Sequence, residues 1–127
     1  MAKLLLIDDD KAVHELIRAQ ITAAGIENIE VISACDGIEG TSMYEEENPD
    51  IVVMDLRMPH RDGYEATRRI MHRHPDAKII VLTSYPDTVV AAETFNSGAS
   101  ALVRKAGKFA AVIVAFIIAF MNGSALN

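Results

Sequence analysis

Ile51-Val52-Val53-Met54-Asp55 sets four apolar residues in a row directly before an acidic one, just past the helix-breaking pair Asn48-Pro49. A short, unalternating, β-branched run bounded by a break predicts a strand buried on both faces. Runs of the same character lie at Lys3 to Ile7, Ile29 to Ser33, Lys78 to Leu82 and Ala99 to Val103. Between them the apolar spacing shifts toward the helical period, as in Val13, Leu16, Ile17, Ile21 and in Tyr64, Thr67, Ile70, Met71. Gly25, Asn48-Pro49, His74-Pro75 and Ser97-Gly98 supply the breaks, and Asp10, Asp62 and Asp87 are candidate helix caps. Strand and helix therefore alternate five times. Such a pattern predicts an α/β fold, a parallel sheet with helices on both faces joined by right-handed crossovers.

In such a sheet, ligands bind beyond the carboxyl ends of the strands. The polar residues of interest all fall there: Asp8 and Asp9 after the first strand, Asp55 ending the third, Thr83 ending the fourth and Lys105 after the fifth. Carboxylates gathered on one edge repel, by about 4 kcal/mol for a pair 4 Å apart at an effective dielectric of 20. A hard divalent cation relieves this, and a set of few oxygen donors suits Mg²⁺, which shares its shell with water and phosphate. Lys105 adds a positive charge and Thr83 a hydroxyl donor. Those parts serve phosphoryl transfer, in which a carboxylate acts as nucleophile and gives an aspartyl phosphate. Asp55 is the candidate nucleophile.

Bulk properties narrow the field. The 127 residues are enough for one core and too few for two of comparable size, so residues 1–127 read as a single domain. A net charge of −6 argues against direct nucleic-acid binding, which needs surplus Lys and Arg. One cysteine, Cys35, allows no internal disulfide, and the opening residues meet Asp8-Asp9-Asp10 too soon for a secretory signal. The expected setting is the cytoplasm. The last helix, about 108–121, is apolar on every side. At about 20 Å it is too short to span a bilayer and lacks the charged face of a surface-lying helix, so no membrane association is expected.

The motifs taken together resemble the receiver domains of two-component response regulators, of the chemotaxis-regulator type, up to about Lys108. They run Leu4-Leu5-Leu6-Ile7-Asp8-Asp9-Asp10, then Pro49-Asp50-Ile51-Val52-Val53-Met54-Asp55-Leu56-Arg57-Met58-Pro59 with Asp62-Gly63, then Ile79-Ile80-Val81-Leu82-Thr83-Ser84, then Gly98 to Lys105. The resemblance implies a doubly wound, flavodoxin-like sheet of strand order 2-1-3-4-5. It implies Asp55 as phosphoacceptor, with Mg²⁺ or Mn²⁺ held by Asp8, Asp9, Asp55 and the backbone carbonyl of Arg57. Asp9 would bind the metal directly and Asp8 largely through water. Thr83, Ser84 and Lys105 would receive the phosphoryl group, with Arg57 and Tyr85 flanking it and tuning its lifetime. The implied partner is a histidine kinase or phosphotransfer protein. Such a domain catalyses only its own phosphorylation and dephosphorylation, and is a switch rather than an enzyme.

Three features depart from the family pattern. Ala106 follows Lys105 where family members usually have proline, so the loop is expected to be trans. Leu102 stands where an aromatic residue commonly reports phosphorylation. The apolar last helix suggests burial on both sides, hence a homodimer or docked partner. These features support an alternative, a receiver-fold interaction module that dimerises through the last helix without phosphorylation. A metal-dependent phosphatase would carry a second Asp where Arg57 stands, and is set aside. Elsewhere the ordinary readings are preferred. Arg68, Arg69 and Arg73 with His72 and His74 form a solvated helix face, His14 and His60 are surface histidines, Cys35 is a small buried residue, and Glu45 to Glu47 are an exposed helix end.

Overall fold

The structure is a computed structural model, and it describes residues 1–57, 63–84 and 87–122. Among these residues ten elements follow one another strictly in turn: β1 (Ala2–Ile7), α1 (Lys11–Ala23), β2 (Ile29–Ala34), α2 (Gly37–Glu47), β3 (Ile51–Asp55), α3 (Gly63–Arg73), β4 (Ile79–Thr83), α4 (Thr88–Asn96), β5 (Ala101–Arg104) and α5 (Phe109–Met121). All strand pairs are parallel, in the order β2-β1-β3-β4-β5. This is the doubly wound order the sequence motifs implied.

The apolar runs are continuous because each central strand serves two cores. Side chains alternate across a strand. Leu4, Leu6, Ile51, Val53, Ile80 and Leu82 join Ile17 of α1 and Ile113 of α5 on one face. Leu5, Ile7, Val52, Met54, Ile79 and Val81 meet Tyr44, Ala66 and Ile70 of α2 and α3 on the other. At about 1.5–3 kcal/mol for each fully buried aliphatic side chain, these layers supply most of the drive to fold.

The helix ends follow local chemistry. Asp10 accepts from the Ala12 amide at 2.9 Å and Asp87 from Val90 at 2.8 Å, as their positions predicted. Asp36 caps α2 in the same way through Glu39 at 2.8 Å, while the Glu39 carboxylate reaches back to the Cys35 amide at 2.6 Å. Asn48 closes α2 in the left-handed conformation at φ 47°, just ahead of Pro49. The predicted cap Asp62 lies outside the described residues.

Two expectations about buried positions are corrected. Cys35 is exposed, because it sits one residue past the end of β2, an edge strand. Its thiol is pushed up, chiefly by a hydrogen bond to Glu39 and by that carboxylate's charge. On α1, Leu16 is 45 % exposed whereas His14 is buried. The stripe that faces the sheet is centred on Val13, Ile17 and Ile21, and at about 100° per residue position 14 lies about 60° from its centre and position 16 about 100° from it.

The Lys105–Ala106 peptide is trans, as the missing proline predicted. Helix α5 turns Ala110, Ile113, Val114 and Ile117 into the core and leaves Val112 45 % and Ile118 41 % exposed. Its inner face is thus accounted for within the chain, and its outer face stays apolar. Among the described residues no helix is long and apolar enough to cross a membrane.

Candidate phosphoryl-transfer site

Parallel strands bring their carboxyl ends to one edge, and the candidate residues meet there. Asp8 follows β1, with its amide bonded to the Ala34 carbonyl at 3.1 Å. Its Oδ1 accepts from the Asp10 amide at 2.9 Å. Asp55 is the last residue of β3, and its Oδ1 accepts from the Arg57 amide at 3.3 Å. Lys105 is tied to the sheet by its own amide, which donates to the Thr83 carbonyl at 2.7 Å. From there its ammonium reaches Asp8 Oδ2 at 2.9 Å and Asp55 Oδ2 at 3.4 Å. Asp9 is exposed beside the buried Asp8 and Asp55, and one oxygen from each of the three lies within 4.8 Å of the others. Thr83 ends β4 and is buried, and Ser84 is exposed beside it. Tyr85 lies outside the described residues.

Close approach is enforced beneath Asp55. The first residue of α3, Gly63, donates its amide to the Leu56 carbonyl at 3.0 Å. A Cβ at Gly63 would run into the Asp55 backbone carbonyl and the Cα of Leu56. Glycine is therefore what lets α3 start directly against the end of β3.

The electrostatics are strained in a useful direction. Burial, and then the charge of Asp8, push the Asp55 carboxyl up to about 6, against the pull of Lys105 and the Arg57 amide. Burial also pulls the Lys105 ammonium down, but contacts with Asp8 and Asp55 outweigh it and hold this lysine above the ordinary range. Among the described residues, one ammonium thus pairs with two of a cluster of three carboxylates. Asp8 Oδ2 is buried without a well-directed hydrogen bond, its ion pair with Lys105 notwithstanding. A clustered set of hard oxygen donors with a surplus of negative charge and an incompletely satisfied buried oxygen fits a small divalent cation.

Other predicted positions fall elsewhere. Arg69 pairs with Glu65 at 3.2 Å and Arg73 with Glu45 at 3.1 Å, so two of the three arginines of α3 face carboxylates of their own chain. Glu45 also takes His74 at 2.8 Å, and the hydrogen bond to His74 heads the causes that lower its carboxyl. It is a clasp between α2 and α3 rather than a bare helix end. His14, expected at the surface, is buried and bonds the Asp8 carbonyl through Nε2 at 2.7 Å. Its signal in the sequence was its place three residues before Ile17, on the inward stripe of α1. His60 lies outside the described residues.

Comparison with known proteins gives a consistent result. The model of the response regulator receiver domain matches residues 4–116. The transcriptional regulatory protein LiaR of Bacillus subtilis is 41 % identical over 116 residues, covering 88 % of this chain and 53 % of LiaR. A two-component response regulator of the LuxR family from Aurantimonas sp. SI85-9A1 superposes with a TM-score of 0.82 at 34 % identity, over 98 % of this chain and 87 % of that one. A CheY-like receiver domain protein from Methanospirillum hungatei JF-1 reaches a TM-score of 0.85 at 22 % identity, over 97 % and 95 %, a likeness of fold. The chain spans about half the length of the curated relatives it matches. With strand order, edge chemistry and family model in agreement, the chain belongs to the response regulator receiver domains of two-component signalling.

Proposed function

We propose that this chain is a phosphoacceptor switch, in which Asp55 takes a phosphoryl group from a histidine kinase, a phosphotransfer protein or a small phosphodonor. The observation that carries the reading is the buried Asp55 carboxylate, 3.4 Å from the Lys105 ammonium and within 4.8 Å of Asp8 and Asp9. With its carboxyl raised to about 6, Asp55 is ionised at neutral pH yet poorly solvated, the state of an activated nucleophile. One of its oxygens bonds to phosphorus as the donor's P–N or P–O bond breaks, and the donor's imidazole or carboxylate leaves with the electron pair. Lys105 then faces the new negative charge, and the Thr83 hydroxyl and Ser84 stand at the adjoining strand end to donate to phosphoryl oxygens. Asp8, Asp9, Asp55 and the Arg57 carbonyl would hold Mg²⁺ or Mn²⁺, which supplies charge stabilisation for the transferring group. Arg57 and Tyr85 flank the site in sequence and are assigned the tuning of the phosphoryl lifetime. Residues 1–127 act as one receiver domain, and its output is a change in the surface offered to a partner.

Incubation with Mg²⁺ and acetyl phosphate, followed by intact-mass measurement, tests this. A gain of one phosphoryl group that disappears in Asp55→Asn and without metal is expected. Absence of any gain in folded protein overturns the reading.

The outer face of α5 favours a second reading, a module that dimerises through this helix without phosphorylation. Val112 and Ile118 leave apolar surface there with no covering element among the described residues. Phosphorylation that changed neither oligomeric state nor partner binding would select it.

A further inference from the structure

The carbonyl that joins Asp8 to Asp9 lies just beyond the last amide rung of β1, and among the described residues no backbone amide donates to it. His14 supplies one, with Nε2 2.7 Å from the Asp8 oxygen in a buried contact. A carbonyl only accepts, so Nε2 carries the proton. The other ring nitrogen, Nδ1, lies 2.9 Å from Ser33 Oγ, and that hydroxyl accepts from Arg18 Nη2 at 2.9 Å. Arg18 is fixed in turn by the Val31 carbonyl at 3.1 Å. The ring is therefore gripped at both ends, by β2 and by the end of β1.

We propose that His14 is a positioning residue for the acidic site: through the Asp8 carbonyl it sets the plane of the Asp8–Asp9 peptide, and with it the direction in which the Asp9 carboxylate leaves the backbone. The inference rests on the reading of Asp8, Asp9 and Asp55 as a divalent-cation site. Asp8 has further anchors, its amide on Ala34, Oδ1 on the Asp10 amide and Oδ2 on Lys105. Asp9 is exposed and follows its peptide. Without the Nε2–H donor, a buried carbonyl has no partner and the peptide turns to find water, carrying Asp9 away from Asp55.

The test compares His14→Leu, which keeps bulk and removes the donor, with His14→Gln, whose amide N–H can stand near the place of Nε2. Mn²⁺ binding is followed by electron paramagnetic resonance, the acetyl phosphate reaction is timed at saturating metal, and exchange of the Asp10 amide is read without metal. Expected are Mn²⁺ binding weakened about tenfold in His14→Leu, a saturated phosphorylation rate within about twofold of the parent, faster Asp10 exchange, and recovery of all three in His14→Gln. Unchanged Mn²⁺ affinity and Asp10 exchange in His14→Leu overturn the proposal, as does a His14→Gln protein as impaired as His14→Leu. If the parent protein binds no Mn²⁺ while the exchange pattern holds, the cation-site reading falls and the positioning of the Asp8–Asp9 peptide by His14 stands.

Discussion

Replacing Asp55 by Asn in metal-free protein should make the domain more stable, although it removes the proposed phosphoacceptor. Burial and the Asp8 charge raise the folded Asp55 carboxyl from 3.8 to about 6. The folded state therefore binds the proton more tightly than the unfolded chain, and stability falls as pH rises from about 4 to about 6, then levels off. Two units correspond to roughly 3 kcal/mol at pH 7.5. The pull of Lys105 is already contained in that shift; the Asn amide N–H group must itself be left buried and imperfectly partnered, which lowers the expected net gain to about 1–3 kcal/mol. For a domain of this size that is a rise in Tm on the order of 5–10 °C. Urea unfolding in chelator at pH 7.5 and pH 5 measures it, and at pH 5 the gain should shrink by roughly half because folded Asp55 is already mostly protonated. Saturating Mg²⁺ should narrow the difference further, since the cation stabilises the parent protein by binding the folded state. An Asp55→Asn protein no more stable than its parent at pH 7.5 in chelator would refute the account of Asp55 as an electrostatically strained carboxylate.

Lys105→Met takes the Lys105 ammonium from between Asp8 and Asp55, and should cost about 3 kcal/mol in chelator by urea unfolding, with much of the loss recovered in Mg²⁺. Gly63→Ala drives a Cβ into the Asp55 backbone, so a loss of about 1–3 kcal/mol is expected together with slower phosphorylation by acetyl phosphate. On the outer face of α5, the pair Val112→Lys and Ile118→Lys should change stability by no more than about 0.5 kcal/mol, while sedimentation at high micromolar concentration shows a smaller species than the parent if that face joins two copies.

The sheet was legible because its strands are buried on both faces: Leu4 to Ile7 and Ile51 to Met54 must satisfy two cores at once, and that demand writes itself as unbroken apolar runs. The gathering of Asp8, Asp55, Thr83 and Lys105 followed from topology alone, since every parallel strand ends at the same edge. Distances at that edge were not legible, because the reach of Lys105 to both carboxylates depends on how the β5–α5 turn is placed. Nor was the role of His14, where the polar residue belongs to the inward stripe and the apolar Leu16 lies off it. The 13 apolar residues of α5 carried no information about which side is covered, for a helix apolar all round gives periodicity nothing to reveal.

Lys105 neutralises part of the acidic edge. Because the chain carries its own cation, 2.9 Å from Asp8 and 3.4 Å from Asp55, folding need not wait for an ion from solution. The tethered ammonium is a placeholder whose local concentration never varies, so a divalent ion at the proposed site would have to compete with a fixed rival rather than fill a void. On the function proposed above, responsiveness to the signal is in this way separated from survival of the fold: metal supply would set how readily the switch is thrown, and the lysine would hold the edge together in the meantime.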